Sequence, residues 1–171
     1  MRIKSLVFFA CVAGLAAYIL LSGVGSTSLV REGSRAPAFT VRTVDGREVS
    51  LEDLKGHVVF LNFWRTDCPP CAAEMPDFEL IAKTFSGRKF EMMPVSLDFE
   101  KDDVSSFYRT RNLTMPAFFD PHQKVAGKYN ITGTPETFVI DSEGNVAKYY
   151  LGRQRWTSPQ MLAMLDGMIP N

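Results

Sequence analysis

Two cysteines separated by two prolines, Cys68-Pro69-Pro70-Cys71, follow directly after an uncharged and largely apolar run at 58–64. Such a run is typical of a buried central strand, and proline is favoured in the first turn of a helix, where a backbone N–H has no partner. The cysteines are therefore predicted to lie where a buried strand gives way to a helix. Unpaired N–H groups and the positive end of the helix dipole favour a thiolate there. The motif predicts an α/β chain with a cysteine pair that can close into a disulfide and reopen.

The same spacing is compatible with half of a zinc site or with a structural disulfide. Zinc requires two further ligands at a suitable spacing, and the chain offers only Cys11, His57 and His122, which are far apart in the sequence. We interpret the two histidines as structural or solvent-facing residues. The prediction is a redox-active pair without a metal site and without a cofactor.

The first 25 residues differ from the rest of the chain. Arg2 and Lys4 precede an uncharged, mostly apolar run of about 20 residues, long enough for a helix to cross the hydrocarbon core of a membrane. Positive charge on the N-terminal side keeps that end in the cytoplasm and sends the remainder across. We interpret residues 1–25 as a signal-anchor, with a cleaved signal peptide as the alternative. Cys11, inside the run, is interpreted as an apolar residue facing lipid.

The stretch at 22–35 is rich in Gly and Ser, and we interpret residues 26–34 as a tether, whereas residues 35–171 have the length of one ordinary domain. Cys68 and Cys71 are the two cysteines of this domain, which is the pattern of a redox protein rather than of a scaffold held by disulfides. Both interpretations of the N-terminus place the domain in the bacterial periplasm or at the outer face of the cytoplasmic membrane. The formal net charge is zero, so nucleic acid is not expected as a partner.

The order of the predicted elements is that of an α/β domain. Alternation, apolar runs and turn signals predict strands at 39–44, 48–51, 57–64, 90–97, 117–120, 137–141 and 146–151. Helical spacing and capping signals predict helices at 69–85, 104–111, 121–129 and 159–168. Helical crossovers between parallel strands, with an antiparallel hairpin at one edge, would give a central mixed sheet flanked by helices.

The residues around the cysteine pair resemble the thioredoxin fold. Phe63-Trp64 before the motif and Gly133-Thr134-Pro135 far downstream are similar to the two hallmarks of that fold. The resemblance implies a central mixed sheet whose active cysteines lie opposite a cis-proline.

Within this superfamily, the chain resembles the TlpA/ResA group of membrane-tethered thiol–disulfide oxidoreductases. The shared features are an N-terminal anchor, an extra hairpin before the central strand, Glu74 three residues after the second cysteine, and a central helical insert at 102–129. A glutamate at this place is implied to lie near the active site and to influence cysteine protonation. Glu74 is thus a candidate general base, with a solvated helix acid as the alternative reading.

The remaining roles follow from the motif and from the resemblance. Cys68 would attack a partner disulfide as a thiolate, and the more buried Cys71 would resolve the mixed disulfide. Pro135, expected in cis rather than trans, would present the backbone of Thr134 to the substrate and keep metal away from the thiols.

Three further residues are predicted to line the substrate side of the motif. Pro69 and Pro70 stiffen the loop and remove two N–H donors that could otherwise solvate a thiolate. Trp64 is expected beside the motif, more as a packing wall than as a chemical participant.

Two residues depart from the thioredoxin pattern. Asp67 stands where thioredoxins often carry Trp, and an acid next to the nucleophile opposes ionisation of Cys68. Asn62 stands where thioredoxin carries a buried Asp, so another group must accept the proton of Cys71. The ResA-like members also have a polar or amide residue at that strand position, which favours the subgroup.

The resemblance implies an extracytoplasmic reductant of protein disulfides, expected to be a monomer. Its implied partners are oxidised haem-attachment cysteines of apocytochromes c, or another exported protein, and an integral membrane thiol–disulfide donor. One alternative is a redoxin-type thiol peroxidase, because Thr66-x-Cys68 faintly resembles a peroxidatic motif. A copper metallochaperone is the other, because a cysteine pair binds Cu(I).

Overall fold

The computed structural model describes residues 30–170; the predicted signal-anchor at 1–25 lies outside them. Within the described range no helix is long and apolar enough to span a membrane. Its strands are β1 (Thr40–Thr43), β2 (Glu48–Ser50), β3 (Val58–Trp64), β4 (Phe90–Ser96), β5 (Phe118–Phe119), β6 (Glu136–Ile140) and β7 (Val146–Leu151). Its α-helices are α1 (Pro69–Thr84), α2 (Lys101–Arg111), α3 (Lys124–Lys128) and α4 (Pro159–Met168).

The strands form one mixed sheet in the order β2-β1-β5-β4-β3-β6-β7. Strands β3, β4 and β5 are parallel to one another, and the other pairs are antiparallel. The predicted thioredoxin-type sheet, its N-terminal β1–β2 hairpin and its β6–β7 hairpin at the opposite edge are therefore confirmed.

Strand β3 lies at the centre of the sheet, and all of its residues are buried because both faces are covered. Phe60 points to the face covered by α1, α2 and α4, where its ring lies 5.2 Å from that of Phe78. Phe63 points to the other face, where its ring lies 5.6 Å from that of Tyr129, at the end of α3. Alternate side chains thus enter two separate cores. The end of β3, which leads into the cysteine motif, is therefore packed on both faces of the sheet.

The predicted insert at 102–129 contains α3 and most of α2, with the short strand predicted at 117–120 between the two helices. Between α2 and α3 it contributes β5, which pairs with β4 on one side and with β1 on the other. Phe118 in this strand is fully buried. The short strand therefore joins the N-terminal hairpin to the central sheet.

The described part of the predicted tether at 26–34 packs on the sheet edge. Gly33 N donates to Val146 O at 2.8 Å, and Val146 N donates to Ser34 O at 2.9 Å. Glu32 accepts a hydrogen bond from Tyr149 N at 3.1 Å. These bonds make residues 30–34 part of the domain, whose predicted start was 35.

Candidate active site

Cys68 and Cys71 form a disulfide at the start of α1, with their Cα atoms 5.3 Å apart. Cys68 is the N-cap of the helix, and its Sγ accepts a hydrogen bond from Cys71 N at 3.3 Å. Cys68 is 9% exposed, whereas Cys71 is 0% exposed. A sulfur-containing partner can therefore reach Cys68 and not Cys71.

The Thr134–Pro135 peptide bond is cis, as predicted. Its loop lies against the disulfide, with Thr134 O at 3.6 Å from Cys68 Sγ. The backbone of Thr134 is thus next to the accessible sulfur, where an extended peptide could pair with it. The structure brings these two distant parts of the chain together as the sequence predicts.

A buried carboxylate that sequence reasoning missed holds this loop. Glu136 Oε1 accepts hydrogen bonds from Thr132 N at 2.8 Å and from Gly133 N at 3.0 Å. Its Oε2 accepts one from the hydroxyl of Tyr149 at 2.9 Å. Burial and this bond to Glu136 raise the pKa of Tyr149 to about 12, so the hydroxyl keeps its proton. The only signal for this role in the sequence was the position of the acid directly after Pro135.

A second missed acid, Asp98, holds the loop that precedes the cysteines. It follows β4 and is buried, and its carboxylate accepts hydrogen bonds from Thr66 N at 3.0 Å and from Thr66 Oγ1 at 2.7 Å. Ser96 Oγ donates to the same carboxylate at 2.6 Å. The ends of β3 and β4 are thereby tied together beside Cys68.

Glu74 is buried, so the alternative reading of a solvated helix acid is wrong. Its Oε1 accepts hydrogen bonds from Gln154 N at 2.7 Å and from Trp156 Nε1 at 2.6 Å. Its Oε2 has no hydrogen-bond partner among the described residues. Burial raises the pKa of Glu74, although the two donors and the nearby Arg153 partly offset that effect. The carboxyl can therefore hold a proton at a higher pH than an exposed glutamate.

Of the other predicted site residues, the two prolines of the motif are exposed and the others are buried. Pro69 and Pro70 are exposed beside Cys68, where a substrate can touch them. Trp64 has no exposed surface and packs against Phe107, with ring centroids 4.8 Å apart. The structure thus gives Trp64 the packing role and corrects its inclusion among substrate-contacting residues. Asn62 is fully buried, and its Nδ2 donates to the side-chain oxygen of a β6 threonine at 2.9 Å.

Across residues 30–170, no group of three or more His, Cys, Asp or Glu side chains is arranged to hold a metal ion. His57 is half-buried at the entry to β3, and His122 is exposed after β5.

The arrangement is suited to thiol–disulfide exchange. The accessible sulfur lies at a helix N-terminus, where N–H groups stabilise a thiolate. The second sulfur is within disulfide distance and is shielded from solvent. Once the accessible sulfur has joined a partner, the shielded one can displace it.

Comparison with known proteins agrees with this chemistry. Residues 33–149 match the AhpC/TSA family. The thiol-disulfide oxidoreductase ResA of Bacillus thuringiensis (strain Al Hakam) is 34% identical over 138 residues, which cover 81% of this chain and 79% of the relative. ResA of Bacillus subtilis (strain 168) is 36% identical over 123 residues, which cover 72% of this chain and 69% of the relative.

Among solved structures, the chain is similar to a thiol:disulfide interchange protein of the thioredoxin family from Chlorobium tepidum TLS. The TM-score is 0.69 at 30% identity, over 81% of this chain and 99% of that chain. The chain therefore belongs to the AhpC/TSA family and is a thiol–disulfide oxidoreductase of the ResA type with a thioredoxin-like fold.

Proposed function

We propose that this protein reduces disulfides of other proteins outside the cytoplasm, with Cys68 as the nucleophile and Cys71 as the resolving thiol. The observation that carries the proposal is the unequal exposure of the two sulfurs beside the cis-proline loop. The Cys68 thiolate attacks a substrate disulfide, so that a Cys68–substrate bond forms and the second substrate sulfur leaves as a thiolate. The Cys71 thiolate then attacks Cys68 Sγ, which releases the reduced substrate. Two electrons pass to the substrate as the Cys68–Cys71 disulfide closes.

Glu74 is proposed as the group that accepts the proton of Cys71 before this second attack. It lies one turn beyond Cys71 on α1, and Asn62 on β3 cannot take up a proton. The unpartnered Oε2 of the buried Glu74 carboxyl leaves one oxygen free to take that proton. A raised pKa brings a carboxyl closer to the neutral range in which general bases act best.

The substrate is proposed to lie along the cis-proline loop as an extended segment. Thr134 would offer backbone groups to this segment, while Pro69 and Pro70 would form the opposite wall beside Cys68. Backbone pairing of this kind accepts many sequences, because hydrogen bonds to peptide groups carry no side-chain information. This suits a reductant that acts on several exported proteins.

The proposed partners follow from the same reading. An integral membrane thiol–disulfide donor would reduce the Cys68–Cys71 disulfide again, and the predicted signal-anchor would keep the domain near that donor. Oxidised haem-attachment cysteines of apocytochromes c are the proposed substrate class. The similarity to relatives named ResA supports an exchange reaction of this kind.

Trapping of the mixed disulfide tests the assignment of the two cysteines. The full-length Cys71→Ser variant in a Cys11→Ala background, reduced and mixed with oxidised insulin, is expected to accumulate a covalent adduct through Cys68, because no second thiol remains to resolve it. The matched Cys68→Ser variant is expected to form no adduct and to lose insulin reduction. Undiminished insulin reduction by Cys68→Ser would contradict the proposal.

The direction of exchange is tested by the reduction potential of the pair, measured in a glutathione or dithiothreitol buffer series. A reductant is expected to have a value near that of thioredoxin, ~−270 mV, or below. A value near ~−120 mV would identify an oxidant that installs disulfides, and the reductase proposal would then be withdrawn.

The two alternatives have less support. A peroxidatic threonine needs a free hydroxyl beside the cysteine, whereas the hydroxyl of Thr66 donates to Asp98 at 2.7 Å. A copper carrier would bind Cu(I) through Cys68 and Cys71, and copper stoichiometry after anaerobic loading distinguishes it from a reductase.

A further inference from the structure

A charged pair stands directly before the accessible cysteine. The guanidinium of Arg65 binds the carboxylate of Asp67 through two hydrogen bonds, Nε to Oδ1 at 2.9 Å and Nη2 to Oδ2 at 3.3 Å. Such a two-point contact fixes both groups more firmly than a single ion-pair contact does. Asp67 immediately precedes Cys68, and Arg65 lines a surface pocket together with Thr134, whose carbonyl oxygen lies 3.6 Å from Cys68 Sγ.

Arg65 is anchored from two further sides. Its Nη1 donates to Leu97 O at 3.0 Å, just beyond the end of β4, and its guanidinium lies 5.7 Å from the centre of the Phe99 ring. Only 29% of the Arg65 side chain is exposed, compared with 69% for Asp67. The cation is therefore part of the loop framework, whereas the carboxylate it binds faces solvent.

The two charges act on each other. The hydrogen bonds from Arg65 lower the pKa of Asp67, and those to Asp67 raise the pKa of Arg65. Both groups are thus charged at neutral pH. A lone carboxylate beside Cys68 would raise the pKa of the thiol, because it disfavours a second negative charge nearby.

The other charged groups around the cysteines are mostly acids. Asp98 lies behind the loop, Glu136 behind the cis-proline, and Glu74 one turn beyond Cys71, with Arg153 close to Glu74. Arg65 is the cation attached to the cysteine loop itself. Without it, the Cys68 thiolate would form next to an uncompensated Asp67.

We propose that Arg65 is a positioning residue that neutralises Asp67 and thereby keeps Cys68 in the reactive thiolate form. The inference rests on the proposed role of Cys68 as the nucleophile. It also accounts for how an acid can occupy the position before the reactive cysteine without blocking its ionisation.

The test is the pH dependence of alkylation of the reduced full-length protein by iodoacetamide, in a Cys11→Ala background that leaves the Cys68 and Cys71 thiols. Arg65→Gln is expected to raise the pKa of the reactive thiol by about 0.5 unit, which is about a threefold lower thiolate fraction at a pH below that pKa. Asp67→Asn, which leaves the cation unopposed, is expected to lower the pKa by a similar amount. The double variant is expected to return to the parent value.

Two controls separate charge from structure. Arg65→Lys keeps the charge and is expected to restore most of the parent pKa. Arg88→Gln removes the same charge from an ion pair with Asp166. Arg88 follows the far end of α1, a helix of 16 residues that is about 24 Å long, so this variant is expected to cause no shift. If the pKa of the reactive thiol shifts no more in Arg65→Gln and Asp67→Asn than in Arg88→Gln, the proposed role of Arg65 is overturned. The proposed role of Cys68 as the nucleophile is not affected by that result.

The proposed role of Cys68 fails in a different way. If the fast-alkylating thiol survives in Cys68→Ser and disappears in Cys71→Ser, Cys68 is not the nucleophile. That result would overturn the proposed function and this inference together.

Discussion

Glu74 and Glu79 are two buried carboxyl groups on the same helix with opposite acid–base behaviour. Burial dominates at Glu74 and raises its pKa. Burial would also raise the pKa of Glu79, but hydrogen bonds from Thr114 and Met115, with Lys83 nearby, lower it to about 2. The deeper burial of Glu74 and the larger number of donors facing Glu79 explain the difference between the two pKa shifts. Of these two carboxyl groups, that of Glu74 is therefore suited to gain and lose a proton.

Glu74→Gln is therefore expected to lower kcat/KM for insulin disulfide reduction about tenfold, because the amide cannot accept the proton of Cys71. The rise of kcat/KM with pH that reports ionisation of Glu74 is also expected to disappear. Measurement of kcat/KM from acidic to neutral pH checks both. Glu79→Gln, the same change five residues further along α1, should keep the parent pH profile. Equal profiles in the two variants would contradict the role of Glu74.

Local spacing explains which site residues could be predicted from the sequence. Cys68, Cys71 and Pro135 are part of short motifs, so their roles could be inferred without tertiary contacts. The hydrogen bonds of Asp98 and Glu136 depend on the folded loops that these acids hold, and no periodic pattern marks such residues. The burial of Glu74 depends on Trp156, which is 82 positions away in the chain.

At the scale of elements, Glu79 links α1 to the loop that leads into β5. Its carboxylate accepts hydrogen bonds from Thr114 N at 2.8 Å and from Met115 N at 3.0 Å. Glu79→Gln is expected to lower the free energy of unfolding by about 2 kcal/mol at neutral pH, because the amide cannot accept all of these bonds. Urea unfolding measures this change.

The pH dependence of that loss has a definite sign. The folded-state pKa of Glu79, about 2, lies below its ordinary value of 4.5, so ionised Glu79 stabilises the fold above 4.5. This contribution is lost as the pH falls through 4.5 towards 2, and the parent and Glu79→Gln should converge there. Lys83→Gln, which removes only an exposed cation, should cost less than about 1 kcal/mol. A difference that persists at acidic pH would contradict this account.

The carboxylate of Asp120 binds the backbone N–H groups at the start of α3. The helix has five residues, too few to be stable alone. Asp120 Oδ2 accepts hydrogen bonds from Val125 N at 2.8 Å and from Ala126 N at 3.0 Å, and its Oδ1 accepts one from Lys124 N at 2.9 Å. Asp120→Ala is expected to destabilise the protein by about 2 kcal/mol. Relative to the parent protein, amide hydrogen exchange in this variant is expected to accelerate more in α3 than in α1. An equal acceleration in both helices would contradict a local effect on α3.

The elements themselves were easier to predict than their pairing. The motif helix α1, the last helix α4 and both hairpins follow from periodicity, turns and the Ser158 N-cap, which accepts a hydrogen bond from Met161 N. The placement of β5 between β1 and β4 did not follow. Its two residues are too few for a periodic pattern to indicate a partner, and its pairing depends on tertiary contacts such as the burial of Phe118.

At the scale of the whole molecule, the sheet brings the chain's distant functional parts to one end. The end of β3 carries the cysteines, the end of β4 carries Asp98, and the start of β6 follows the cis-proline loop. Because β3 is parallel to β4 and antiparallel to β6, these three points meet at the same edge. The site therefore depends on the order of strands more than on any single loop.

The location of the domain decides which disulfides it can meet, because protein disulfides persist outside the cytoplasm. We expect the full-length protein to sediment with membranes and to resist extraction by alkaline carbonate, whereas a chain without residues 1–25 should be extracted. After mild reduction of intact spheroplasts, a membrane-impermeant maleimide should label Cys68 without lysis. Labelling that requires lysis would place the domain in the cytoplasm and contradict the proposal. Release of the full-length gene product as a shorter chain would instead favour the cleaved signal peptide and leave the compartment unchanged.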